Sequence, residues 1–287
     1  MTQKRPSAHP VPSFLRTSDL RAAGLTRRDI GRAVTSGTLL RLREGVFTTP
    51  AADPDCAAAV RAFGRLACVS ELRRLGVFVR DRTDLHIHVD EHSARIPRPS
   101  GIARTHRRHL LRRPHPRAMS VEVLDAMIDA VRCQDPRSAI ASIDSALHLR
   151  ILHTDDLEEL FAALPRRYRR LRAWVDERAE SGPESLVRLM IRSLGWTYDV
   201  QVTIVGVGRV DFVVDGWLIV ECDSREHHSS PSAQREDRRR DLAAARLGLV
   251  TMRLLAEDIM WRPDAVLEGL RGLYKRGPQR FVVPVAG

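Results

Sequence analysis

The tightest constraint on this chain lies between Ser181 and Tyr274, where apolar runs and chain-breaking residues follow in a set order. Gly182-Pro183 breaks any preceding helix. Pro183 suits the first turn of a new one and Ser181 suits its cap, which predicts a helix over Glu184–Leu194 ended by Gly195. Tyr198–Val205, Gly208–Val214 and Trp217–Asp223 read as strands. Ser232–Leu247 reads as a polar helix ended by Gly248, Leu249–Leu254 as a last strand and Pro263–Tyr274 as a last helix. The order is α-β-β-β-α-β.

Acids stand in this segment where few are expected. Glu184 opens the first helix, Asp211 interrupts Val210-Asp211-Phe212-Val213-Val214, and Glu221 and Asp223 end the run that begins Trp217-Leu218-Ile219-Val220. An ionised carboxylate in an apolar strand is costly unless it is paired or bound to a cation. Acids converging on one point make a hard oxygen site suited to Mg²⁺ or Mn²⁺, and such an ion can bind a phosphate and activate water. The plainer alternative pairs Asp211 with Arg209 or Arg188 and leaves Glu221 and Asp223 as strand-end acids. Loop length separates the two readings. A two-residue Asp215-Gly216 turn would set Asp211 opposite Val220 and send Glu221 to the other face. Convergence therefore requires a three-residue connection or a bulge near Asp215–Trp217.

The N-terminal segment reads as helix, helix, hairpin. Thr17 or Ser18 caps a short helix ended by Gly24, and Thr26 caps Arg27–Ser36, closed by Gly37. Ile30 and Val34 face inward, while Arg28 and Arg32, with Arg27 beside them, share another face. Leu39–Leu42 and Val46–Thr49 form two short strands around Arg43-Glu44-Gly45. This is the order of a winged helix, and Met1–Pro50 holds nine basic residues against three acidic. A helix of this kind fits a DNA major groove, with Arg27, Arg28 and Arg32 toward phosphates and guanine edges. Arg41 and Arg43 on the hairpin would lie along the backbone or minor groove. A packing module with solvated arginines is the alternative.

The whole chain, 287 residues with a formal net charge of +11, points to phosphate-rich partners. Of its 47 basic residues only Lys4 and Lys275 are lysine, so placement carries more information than number. No apolar run is long enough to span a bilayer, and Met1–Ser13 has no secretory core. Cys56, Cys68, Cys133 and Cys222 are scattered with no CxxC pair, which argues against a zinc ribbon and suits a cytoplasmic protein. Residues 51–178 are less informative. Helices are expected over Ala57–Leu66, Ser70–Leu75, Val123–Val131, Arg137–Leu149 and Asp155–Leu164. Asp84–Asp90 alternates as a half-buried strand, with His86 and His88 on its outer face. Two histidines so spaced could chelate a metal, but Asp84 and Asp90 beside them favour a solvated polar stripe. Arg104, Arg107, Arg108, Arg112 and Arg113, and Arg166, Arg167, Arg169, Arg170 and Arg172, form basic clusters that touch phosphates or simply face water.

Several motifs together carry a resemblance. Pro183-Glu184-Ser185, Arg209-Val210-Asp211-Phe212, Val220-Glu221-Cys222-Asp223, Glu226-His227-His228 and Asp237-Arg238-Arg239-Arg240-Asp241 resemble a domain-of-unknown-function family. That family is related to the very-short-patch-repair endonucleases, within the PD-(D/E)xK nuclease superfamily. The N-terminal module resembles the winged-helix domain of abortive-infection type IV antitoxins, and the middle is similar to the connector of actinobacterial proteins joining these ends. The resemblance implies a multidomain chain of α+β and α/β character: a winged helix over 1–50, a mixed α/β connector over 51–180 and a restriction-endonuclease-like αβββαβ domain over 181–287. It implies Asp211 and Glu221 as metal-binding acids for Mg²⁺ or Mn²⁺, and Glu184 as the helix-borne acid that orients water. Asp223 stands where the superfamily usually has lysine. His227 or His228 would substitute as base or charge partner. Arg225, Arg238 or Arg240 would neutralise the phosphate, and Asp237 is a supporting acid or part of a surface charge ladder with Asp241. The implied function is a DNA-binding, Mg²⁺-dependent phosphodiesterase acting on duplex DNA. The alternative is a non-catalytic, antitoxin-like regulator with a cognate toxin partner or self-association.

Overall fold

The computed structural model describes residues 12–80, 85–91, 101–223 and 231–276. The chain divides into two compact units, Met1–Ala173 and Trp174–Gly287. Both mix α-helices with small sheets, three sheets in all among the described residues. No described helix is long and apolar enough to cross a membrane.

The first unit opens with β1 (Leu15–Arg16), α1 (Thr17–Ala22), α2 (Arg27–Thr35), β2 (Leu40–Arg43) and β3 (Val46–Thr48). Thr26 caps α2: its hydroxyl accepts from the Asp29 amide, and the Asp29 carboxylate accepts from the Thr26 amide. This satisfies two of the donors that every helix start leaves open. Leu20, Ile30, Leu39 and Phe47 close the small core beneath, with Val34 packed against it. The expected hairpin is present, with an irregularity between Arg41 and Arg43. β1, which carries too little pattern to be read from sequence, pairs with β3 and makes the order β1-β3-β2.

The unit continues with α3 (Pro54–Arg61), β4 (Arg65–Leu66), α4 (Cys68–Arg74), β5 (Leu85–His88), β6 (Ile102–His106), α5 (Val123–Cys133), α6 (Pro136–His148), α7 (Asp156–Ala163) and α8 (Arg166–Arg169). The helix expected over Ala57–Leu66 stops at Arg61, because Arg65 and Leu66 pair with His88 and Ile87. Gly64 permits that approach: a Cβ there would stand 2.8 Å from the His88 carbonyl oxygen. β5 also pairs in parallel with β6, so the sheet runs β4-β5-β6.

Two expectations for this region need correction. Leu85, Ile87 and Val89 are buried as foreseen, but His88 is buried as well and His86 is half-buried, so the outer face is no solvated stripe. His88 Nε2 lies 2.9 Å from the Arg108 carbonyl oxygen, and burial pushes its pKa down to about 4. Asp84 lies outside the described residues. Arg108 and Arg112, read as phosphate ligands or a wet face, are structural. Arg108 bonds the buried Asp125 and Asp129 at 2.8 and 2.7 Å, and Arg112 bonds Asp156 and Glu159.

A 3-10 turn at Arg170–Trp174 leads toward the second unit, which contains α9 (Gly182–Ser193), β7 (Tyr198–Ile204), β8 (Gly208–Val214), β9 (Leu218–Asp223), α10 (Pro231–Arg246), β10 (Val250–Leu255), α11 (Ala256–Trp261) and α12 (Pro263–Arg276). The expected order is found, with α11 added. The sheet runs β10-β9-β8-β7, with β10 parallel to β9 and the other pairs antiparallel. Val207, Val210, Ile219 and Ala244 pack α10 onto one face.

Candidate carboxylate centre

The turn between β8 and β9 decides where the acids point. Val214 pairs with Leu218, so Asp215, Gly216 and Trp217 form a three-residue connection. Asp215 and Gly216 both adopt positive φ, at 45° and 73°. Asp215 is held there by its carboxylate, which accepts from the Thr197 amide at 3.1 Å and from the Tyr274 hydroxyl. The ladder ends at Phe212↔Val220. One step further, Asp211 and Glu221 face each other, and side chains replace the ladder bonds. The Cys222 amide donates to Asp211 Oδ2 at 2.8 Å, and the Asp211 amide donates to Glu221 Oε2 at 3.3 Å.

Glu184 joins them from the first turn of α9, which Ser181 caps through the Glu184 amide. Its Oε2 accepts from the Glu180 amide at 2.9 Å and from Gln201 Nε2 at 2.8 Å. Gln201, not singled out from sequence, sits at a positive φ of 53° within β7, which interrupts its pairing with β8 between Val200 and Val202. Such a kink re-aims one side chain.

Glu184 and Glu221 are each 7% exposed. Burial raises the pKa of Glu184, Asp211 and Glu221; Asp211 raises both glutamates further, and Asp223 raises Asp211. The Cys222 thiol is pushed well up by burial and then by these same acids. Negative charge concentrated in low dielectric is the electrostatic condition that a cation relieves.

Guanidinium groups surround the acids unevenly. Arg188 is buried but donates to the Trp174 carbonyl at 2.6 Å, and Arg209 pairs with Glu180 and Gln201, so neither is spent on Asp211 alone. Arg240, expected to meet phosphate, turns inward: it donates to Glu221 Oε1 at 3.0 Å and to the Val207 and Arg209 carbonyls. Arg238 is exposed on α10. Asp223 faces Arg253 at 3.4 Å, and the same guanidinium meets Asp241 at 2.9 Å and Asp237 at 3.8 Å. Asp237 and Asp241 thus fasten α10 to β10 rather than forming a surface ladder. His227, His228 and Arg225 lie outside the described residues.

In the first unit Arg27, Arg28, Arg32 and Arg41 are exposed, as a surface for phosphate requires. Arg32 is tied to Asp29, and Arg41 lies over the Phe47 ring at 5.7 Å. Arg43 is half-buried over the Phe63 ring at 4.6 Å, so it braces the hairpin.

Sequence reasoning weighs His86 as a chelator only in a pair with His88 and sets it aside, and so misses a second group of metal-ligating side chains. Cys68, His86, His106 and Cys133 bring four donor atoms within 4.8 Å of one another and could bind a metal. Among the described residues no trio of the carboxylates closes to that spacing. No protein-family model matches the chain, and no curated protein matches it.

Proposed function

We propose that the protein binds duplex DNA and hydrolyses its phosphodiester bonds with a divalent cation at the carboxylate centre. The observation that carries this reading is that Glu184, Asp211 and Glu221, from three elements, lie near enough for Asp211 to raise the pKa of both glutamates, while burial raises all three. Their hard oxygens fit Mg²⁺ or Mn²⁺. Asp211 and Glu221 would hold the ion, which supplies charge neutralisation at the phosphate and a more acidic bound water. Glu184, fixed by Gln201 and the Glu180 amide, orients the attacking water. Arg240 places positive charge beside Glu221, in a motif where Asp223 replaces the usual lysine. Arg27 and Arg28, exposed on α2, engage the DNA backbone.

The test is calorimetric Mn²⁺ titration of the full chain and of Asp211→Ala, alongside plasmid nicking. Binding and nicking that both vanish in the variant support the hydrolase. A second reading rests on the same Arg240–Glu221 pair, since a guanidinium already neutralises one ligand. In that reading the chain is an antitoxin-like regulator that binds an operator and a toxin or a second copy of itself. Duplex binding lost in Arg27→Ala/Arg28→Ala, with neither Mn²⁺ uptake nor nicking by the unaltered protein, selects it.

A further inference from the structure

Four side chains unused by that function converge inside the first unit. Cys68 opens α4, His86 lies in β5, His106 ends β6 and Cys133 ends α5. Parallel pairing sets His86 beside Arg104 and His88 beside His106, so the two histidine rings meet diagonally across neighbouring strands at 5.6 Å. His106 Nε2 stands 3.5 Å from His86 Nδ1 and 3.9 Å from Cys133 Sγ. Cys68 and Cys133 are both free, and their sulfurs lie within 4.8 Å of each other. With metal–sulfur bonds of about 2.3 Å and metal–nitrogen bonds of about 2.0 Å, tetrahedral ligands lie roughly 3.3–3.8 Å apart. The 3.5 and 3.9 Å spacings are close to that scale, and all four donor atoms lie within 4.8 Å of one another.

We propose that Cys68, His86, His106 and Cys133 form a closed, tetrahedral, structural zinc site that ties α4, α5, β5 and β6 together. Two sulfur and two imidazole donors select a borderline-soft ion over Mg²⁺ or Ca²⁺. Two thiolates balance the charge of the dication, and four protein ligands leave no open position for chemistry.

The surroundings match a metal site in further respects. His106 Nδ1 faces Asp129 Oδ1 at 3.7 Å, and Arg108 grips that same oxygen at 2.7 Å. A carboxylate behind a histidine orients the ring and leaves the other nitrogen for a metal. Arg104 Nη1 stands 3.0 Å from Cys133 Sγ, placing positive charge beside that sulfur. A cleft of about 260 Å³ beside the cluster is lined by His106 and Cys133 together with Arg104, Arg107 and Arg132. Cys68 adopts a φ of +53°, a conformation that non-glycine residues avoid. Such strain persists only where the surrounding structure holds it in place.

The site is independent of the carboxylate centre, and its test keeps the two apart. Full-length protein purified without added metal or chelator is analysed for bound elements. One zinc per chain is expected, retained in Asp211→Ala. Replacing zinc with Co²⁺ should give visible bands of tetrahedral cobalt and thiolate-to-cobalt charge transfer in the near ultraviolet. Cys133→Ser should weaken that charge transfer, Cys68→Ser/Cys133→Ser should abolish it, and Cys56→Ala should leave it intact. If the cysteine variants fail to fold, thiol counting on the unaltered chain decides. Zinc should shield Cys68 and Cys133 from a thiol reagent, and a chelator should expose them. Protein without stoichiometric zinc, cobalt spectra of octahedral form, or a Cys68–Cys133 disulfide would each overturn the proposal.

Discussion

Replacing Asp211 by asparagine tests the electrostatics of the carboxylate centre without disturbing its shape. Asparagine keeps an oxygen for the Cys222 amide, so the 2.8 Å bond survives while the charge is removed. Two unit charges about 6 Å apart interact by about 3 kcal/mol at an effective dielectric constant of 20. Asp211 faces two such carboxylates, but it is only half-buried, and Arg240 offsets part of the charge on Glu221. A net gain of about 1–2 kcal/mol for the metal-free variant remains after this discount. Differential scanning calorimetry at neutral pH should place its transition a few degrees above that of the unaltered protein. The carboxyls titrate above their ordinary values in the folded state. The repulsion is therefore fully present at higher pH and fades as pH falls through those raised values, so the advantage of asparagine should shrink in acid. Mn²⁺ at ten times its Kd should stabilise the unaltered protein by about 1.4 kcal/mol and leave the variant unmoved. A variant less stable than its parent at neutral pH, or equally responsive to Mn²⁺, would refute the reasoning.

Four further outcomes follow from particular side chains. Arg108→Met should lower the urea midpoint by the equivalent of about 3–5 kcal/mol, because it strands Asp125 and Asp129, 0% and 1% exposed, without their cation. Thr26→Ala should destabilise the first unit by about 1 kcal/mol through loss of the α2 cap, read by thermal melting. Carbon NMR should place the Asp29 carboxyl at about 2, held down first by Thr26 and then by Arg32. Its contribution to stability is present above the ordinary carboxyl value and lost as pH falls through 2, and Thr26→Ala should raise that midpoint. Arg27→Ala/Arg28→Ala should reduce the salt slope of duplex binding by about 2, one for each phosphate that no longer has an arginine beside it.

Much of this architecture is written in local pattern. The helix capped by Thr26, the alternation through Leu85, Ile87 and Val89, the run of elements from α9 to β10, and α12 all announce themselves by periodicity and by glycine or proline at their ends, whereas α11 does not. The short strands do not. β1 and β4 hold two residues each, and β6 reads Ile-Ala-Arg-Thr-His, polar enough to pass for a loop until a parallel neighbour gives it a ladder. The acids were legible because Asp211 and Glu221 break apolar runs, and the three-residue turn follows from asking how both could face one way. Gln201 was not, since its role comes from a kink in β7. The inward turn of Arg240 and the grip of Arg253 on three acids depend on how α10 and β10 lie against the sheet, which spacing along the chain does not encode. The cysteine and histidine cluster was hidden for a related reason. Its members stand on four separate elements, so no short motif contains even two of them.

That dispersion sets an order of events during synthesis. Cys133, at the end of α5, leaves the ribosome after the other three members of its cluster. Until it emerges, a growing chain holds only three of the four donors, with β5 and β6 still lacking the helix that brings the last thiol. Long-range closure of this kind comes late, because distant segments must meet before their pairing rewards them. A nascent chain halted short of Cys133 would carry the cluster without its fourth donor.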